Sequence, residues 1–420
     1  MNTFSDWVKE HPLPTRRDER WKYTDLTFLS QTDFPPAKKI AIDQLCPPAA
    51  MPAKADTQEE TREEETLADA VYQHRLQRGD SILLVLVNGH FEWYLSDLGK
   101  LPQGSIVRGS LDPMRDDEIK VDEEKVNAST HPFAVLNQAQ RSGGLYLSLP
   151  DHAIVELPIH ILSLVIDDSP FAAHPKNIFL LGEGAQATIL EEYNTYAEQA
   201  YLMNIMTTIQ LNSQSSLNYY KIQKEGRQAV HMANTFVCQE KDSCFNAVTL
   251  SLGARFARDD LMVRLKASGT ICKTAGFYHL RYDNQYIDHH LDINHQAPNS
   301  ESEMLYKGIL ERKSKAVFNG RVLIEKNAQK IVANQANHNL LLSAEAEVYS
   351  KPELEIYADD VKCKHGASTG QLDQEALFYL RSRGIPYEDA LAMLLQGFSE
   401  EVTSRIKHEG IQMRAQESLV

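Results

Sequence analysis

The sequence predicts an all-β core built as a solenoid of stacked strands, preceded by a mixed region and followed by helices. Three observations predict it. From about Asp151 to Ser368, helical periodicity is absent. Short alternating or apolar runs follow one another there, among them Ile154 to Ile166, Ala187 to Glu192, Ser216 to Ile222, Phe245 to Leu252, Val317 to Ile324 and Glu353 to Tyr357. Second, a small or polar pair opens a β-rich run at Gln186-Ala187, Ser216-Leu217, Cys244-Phe245, Thr270-Ile271, Lys315-Ala316 and Ala346-Glu347. The spacing is roughly 26–31 residues with one longer gap, in the range of a repeat architecture. A β-sandwich would show turn signals every ~8–12 residues without this larger period. Third, apolar residues return to helical spacing only after about residue 371. A turn with two or three strands cannot bury its inner face alone, so the turns stack on one continuous core.

The elements follow in chain order. Asp18 to Leu29, with Trp21 and Tyr23, has a helical start. Residues 46–57 are rich in Pro and Ala and are expected as a linker. Glu59 to Glu65 is a charged run expected to open a helix that continues through Leu67, Val71 and Leu76, with a solvated face. Ser81 to Leu95 holds two strand-like runs about Asn88-Gly89, a hairpin signal. Asp112 to Ser129 is polar and is expected to cross the surface. At the far end Asp373 can cap a helix through Leu377 and Leu380 that Gly384 stops, and Pro386 suits the first turn of the next. Leu391, Leu394, Phe398, Val402 and Ile406 form its apolar stripe. The expected units are therefore 1–150 (mixed), 151–370 (solenoid) and 371–420 (helical).

Composition bounds the function. The 420 residues include 43 Lys plus Arg against 58 Asp plus Glu, a net charge of -15. Such a chain is a poor general binder of nucleic acid or anionic membrane. Mean hydropathy is -0.40, and no apolar run reaches the ~18 residues of a membrane span. The N-terminus has no basic region followed by an apolar one, so no secretion signal is expected. The five cysteines, at 46, 238, 244, 272 and 363, form no Cys-x-x-Cys pair, which suits a reducing cytoplasm.

No phosphate loop, Gly-x-Ser-x-Gly elbow or His-Glu-x-x-His is present, so any ATP that drives this protein's work is bound by another subunit. Two clusters could hold metal. In Asp288 to His295, an extended strand would align Asp288, His290, Asp292 and Asn294 on one face, either as ligands or as a solvated outer row. In Asp359 to Gly366, Cys363 and His365 would point the same way with Cα atoms ~6.5–7 Å apart, able to meet one metal. Two ligands do not close a site, so the rest would come from another chain or from sulfide. Lys362 and Lys364, on the opposite face, are expected to help lower the thiol pKa. The bland alternative is a buried cysteine beside a hydrogen-bonded histidine. Cys46, Cys238, Cys244 and Cys272 are most simply structural or incidental.

One stretch goes further than its chemistry. Lys351-Pro352-Glu353-Leu354-Glu355-Ile356-Tyr357-Ala358-Asp359-Asp360-Val361-Lys362-Cys363-Lys364-His365-Gly366-Ala367, followed by Phe378-Tyr379-Leu380-Arg381-Ser382-Arg383-Gly384-Ile385, resembles the SufB/SufD family of the SUF iron–sulfur cluster assembly machinery. The resemblance is strongest to its SufD branch. Ala316 to Gly320, Asn337 to Leu341, Leu13 to Arg17 and Trp21 to Thr24 resemble the same family, so the likeness spans nearly the whole chain. It implies a right-handed parallel β-helix with helical ends. It also implies a non-catalytic subunit that joins the SufB paralogue and the SufC ATPase, with a homodimer open to the isolated chain. The C-terminal helices would dock the ATPase, through or supported by Leu391, Leu394, Phe398 and Val402. His365 matches the family's interface histidine, thought to help bind a nascent cluster, and Cys363 lies two residues before it. SufB-type chains carry Glu-His-Glu-Ala at this place. Here Lys364-His365-Gly366-Ala367 lacks both carboxylates, which favours the SufD branch and argues against a whole cluster held by this chain alone. The implied cargo is iron or a transient Fe–S cluster at the subunit interface.

Two rivals stand beside this reading. One is a polysaccharide-acting β-helix enzyme using Asp288 and Asp292 for Ca²⁺, which the missing secretion signal disfavours. The other is an adaptor that tethers the ATPase and binds no metal.

Overall fold

The computed structural model describes residues 4–39, 67–76, 81–111, 130–167 and 169–419. Two ten-stranded sheets face one another as a parallel β-solenoid. One runs from His90–Phe91 and Ile82–Val87 to Ile331–Leu341 and Val361–Gly370. The other runs from Ile106–Gly109 and Leu145–Leu149 to Lys315–Ile324 and Glu347–Ile356. The ladders are antiparallel only at the N-terminal end, where Ile82–Val87 pairs with His90–Phe91 and Ile106–Gly109 with Leu145–Leu149.

The repeat is a register. Gln186, Ser216, Cys244, Ile271, Glu301, Val332 and Lys362 stand in line across the first sheet. The longer gap in the sequence repeat has a structural cause. The series passes over the Glu301 turn and moves to the second sheet, where Lys315 pairs with Glu347. The corners explain the punctuation. Gln214, Asp242, Asn284, Asn299, Arg312 and Lys330 all take left-handed backbone, a conformation that Asn and Asp tolerate better than most residues.

Alternation sends every second side chain inward. Leu217, Phe245 and Cys272 succeed one another in one inner column, and Ile293, Val322 and Leu354 in another. The parallel ladder begins with Ile82–Val87, so the solenoid reaches into the first 150 residues. The Asn88-Gly89 hairpin forms with both residues at positive φ, as a two-residue turn of this type requires. The expected helix at Asp18 to Leu29 is instead two 3₁₀ turns, Glu19–Trp21 and Thr27–Gln31, shaped by Trp21 inserting into a buried cluster. Helices Phe4–Glu10 and Pro132–Gln140 are additional, each too short for periodicity to reveal. A helix spans Leu67–Gln73. The expected linker at 46–57, the charged run at 59–65 and the crossing at 112–129 lie outside the described residues.

Three helices close the chain: Gln374–Ser382, Tyr387–Thr403 and Glu409–Leu419. The Asp373 carboxylate accepts from the Glu375 and Ala376 amides at 2.9 and 3.1 Å. Gly384 takes φ +88° after the first helix, a left-handed stop. No helix among the described residues is long and apolar enough to cross a membrane.

Candidate functional site

Cys363 and His365 lie on Val361–Gly370, the last strand of the first sheet, which has one neighbour only. They stand beside Ala333 and Gln335 of the preceding strand. Both of those are buried, and the Gln335 amide donates to the Gly320 carbonyl of the opposite sheet at 2.7 Å. The column containing Cys363 and His365 is thus the inner column of the solenoid, continued to its open mouth. Cys363 packs partly against the core with Val348, Leu354 and Val361, while His365 is exposed. Lys362 and Lys364 occupy the outer face, as alternation requires.

The thiol departs from expectation. Burial pushes Cys363 above its ordinary value, and only a hydrogen bond involving the Ala333 backbone opposes it. The lysines stand on the far side of the strand, exposed, and neither is among the groups that shift the thiol. Cys363 is therefore protonated at neutral pH, and His365 is the exposed donor of the pair.

The row Asp288, His290, Asp292 and Asn294 is neither a ligand set nor a solvated face. The N-terminal segment lies over it. Asp288 accepts from the Arg258 guanidinium at 2.8 Å and from the Thr24 hydroxyl at 2.7 Å, and His290 Nε2 is 2.9 Å away. Burial alone would raise the Asp288 carboxyl, but Arg258, His290 and Thr24 hold it below its ordinary value. Asp292 accepts from Arg321 at 2.9 and 3.0 Å, and Asn294 donates to Glu325 at 3.0 Å. Among the described residues no group of three or more His, Cys, Asp or Glu is placed to hold a metal. Cys272 is buried in the core, and Cys238, Cys244 and Cys363 join it as free thiols.

The helical stripe divides. Val402 is fully buried with Ile406 against Leu305, Ile309 and Phe277 of the solenoid, so it cannot meet a partner directly. Phe398 is half-buried under Lys307, whose ammonium lies 4.1 Å from the ring centroid and 2.8 Å from Glu401. Leu391 and Leu394 are partly exposed. The open apolar surface is carried instead by Phe378, Tyr379, Tyr387 and Met393, each at least half exposed. Sequence spacing missed these because they lie off the stripe that faces the solenoid.

Two buried ion nodes also escaped the sequence reading. In one, Arg258 grips Asp260 and Asp288 beneath Trp21. In the other, Glu192 binds His160 at 3.0 Å and Arg414 of the last helix at 2.6 Å. Their members are remote in sequence, so no local signal links them.

A family profile described as "SUF system FeS cluster assembly, SufBD core domain" matches residues 164–398. An iron–sulfur cluster assembly SufBD family protein of Synechocystis is 30% identical over 96% of this chain and 86% of its own length. The iron–sulfur cluster assembly protein SufD of Escherichia coli is 29% identical, with 96% and 87% covered. SufD of Bacillus subtilis is 28% identical, with 70% and 66% covered. With the solenoid and its open end as described, the chain belongs to the SufBD family of SUF-system iron–sulfur cluster assembly proteins.

Proposed function

We propose that this chain is a SufD-type, non-catalytic scaffold subunit working in the cytoplasm. Its open end meets a SufB-type paralogue, and iron or a nascent cluster is held between them. His365 supplies one imidazole nitrogen. Cys363 joins only once metal displaces its proton, since the thiolate is the ligating form. The observation that carries the reading is placement. His365 is an exposed imidazole on the terminal strand of its sheet, in line with an inner column, and among the described residues it has too few neighbours to close a metal site alone. Imidazole and thiolate are suitable ligands for this cargo. The exposed residues Phe378, Tyr379, Tyr387 and Met393 form the docking surface for a SufC-type ATPase. Leu391, Leu394, Phe398 and Val402 support it from the solenoid side. The same open end leaves the isolated chain free to pair with a second copy of itself.

The test is cluster formation by the reconstituted complex. His365→Ala is expected to lower cluster yield at least tenfold while the subunits still co-purify. Unchanged yield would remove His365 from the site and leave the metal-free adaptor standing.

A further inference from the structure

The N-terminal motif Trp21 to Thr24 has no part in the site above, yet the fold brings it to the last turn of the solenoid. Its anchor is buried. Trp21 lies on the Arg258 guanidinium at 3.7 Å, and Arg258 donates to the Arg20 carbonyl at 3.0 Å. The Tyr286 hydroxyl donates to the Tyr23 carbonyl at 2.7 Å. From that anchor two side chains reach the final strand of the second sheet, Glu347–Ile356. The Tyr23 ring stacks on Tyr349 with centroids 4.4 Å apart, and Glu19 lies 2.6 Å from the Lys351 ammonium. Lys315 covers the same Tyr349 ring at 4.6 Å.

A terminal strand has a ladder on one side only and is the part of a sheet most prone to fray. We propose that residues 19–24 form a clasp that holds this strand in register and so sets the order of the open end. The two contacts to this strand, Tyr23 with Tyr349 and Glu19 with Lys351, tie residues more than 300 positions apart, and both lie on one edge. As a corollary that rests on the proposed function, loosening the clasp slows joining of the partner subunit, because a frayed edge must order before it pairs.

Hydrogen–deuterium exchange on the full-length protein tests this. Wild type is compared with Tyr23→Ala/Glu19→Gln and with Tyr23→Phe, which keeps the ring. Peptides covering 347–356 are expected to exchange about fivefold faster in the double variant and at the wild-type rate in Tyr23→Phe. Peptides covering 230–239, deeper in the same sheet, should not change. Unchanged exchange across 347–356 in the double variant would overturn the clasp, as would equal acceleration at 230–239. Faster exchange at 347–356 with unaltered partner joining would keep the clasp and sink the corollary alone.

Discussion

Tyr278 and Tyr306 lie inside the solenoid on adjacent strands, and each ring rests where its neighbour has glycine. Tyr306 pairs in register with Gly276, and Tyr278 with Gly308. A Cβ at either glycine would fall onto the facing ring. Tyr278 cannot step aside, because its hydroxyl donates to Asn339 at 2.5 Å and accepts from Asn337 at 3.1 Å. Gly308→Ala is therefore expected to lower stability by about 2–3 kcal/mol, read by denaturant unfolding. Wild-type stability would mean that the rings do not fill this space. At this scale the sequence was partly legible. Alternation alone placed Cys363 and His365 on one face and the lysines on the other. It could not show that Asp288 lies beneath Trp21 and Thr24, because their juxtaposition spans more than 260 residues. Nor could it show that partial burial, rather than Lys362 and Lys364, sets the direction in which the Cys363 thiol shifts.

The C-terminal helices depend on an N-cap and a buried carboxylate. Asp373→Ala removes two amide contacts from the first of them and is expected to cost about 1 kcal/mol, visible as a lower denaturation midpoint. Glu192 ties the last helix to the solenoid. Burial would raise its carboxyl, but hydrogen bonds from His160 and His74 and the charges of His160 and Arg414 hold it well below the ordinary 4.5. A carboxyl lowered by folding stabilises the native state above its unfolded value. That contribution is lost as pH falls below about 4.5 toward the folded value. Arg414→Ala should destabilise the protein at pH 7 by about 2 kcal/mol, with a smaller difference in acid. An equal difference at both pH values would dismiss Glu192 as the anchor. The sequence displayed the cap, the Gly384 stop and the apolar stripe, because these are local patterns. It left open how the stripe divides between packing and docking, and Val402 and Phe398 turn toward Phe277, Leu305 and Lys307.

Over the whole molecule, the two ends of the chain lie against opposite sheets. The N-terminal segment crosses the sheet ending in Glu347–Ile356, and the C-terminal helices cover the sheet ending in Val361–Gly370. Helix Tyr387–Thr403 is fixed to strand Glu301–Leu310 through Lys307 and Glu401, and Arg405 beyond it pairs with Glu303 at 2.7 Å. That strand is two places from the one carrying His365. A force applied at the helices thus has a short, packed route to the open end. The solenoid was legible from repeat spacing because each turn obeys the same alternation and the same corner. The early start of the ladder at Ile82 was not, because its inner and outer faces are both covered and the run reads simply as apolar.

The open end is proposed to hold iron only when a partner completes the site. Anaerobic iron binding measures it most directly, comparing the isolated chain, its complex with the SufB-type and SufC-type subunits, and the same complex carrying His365→Ala. Expected are stoichiometric iron in the complex, none retained by the isolated chain, and about tenfold or more weaker binding in the variant. Full iron retention by an assembled His365→Ala complex would contradict it.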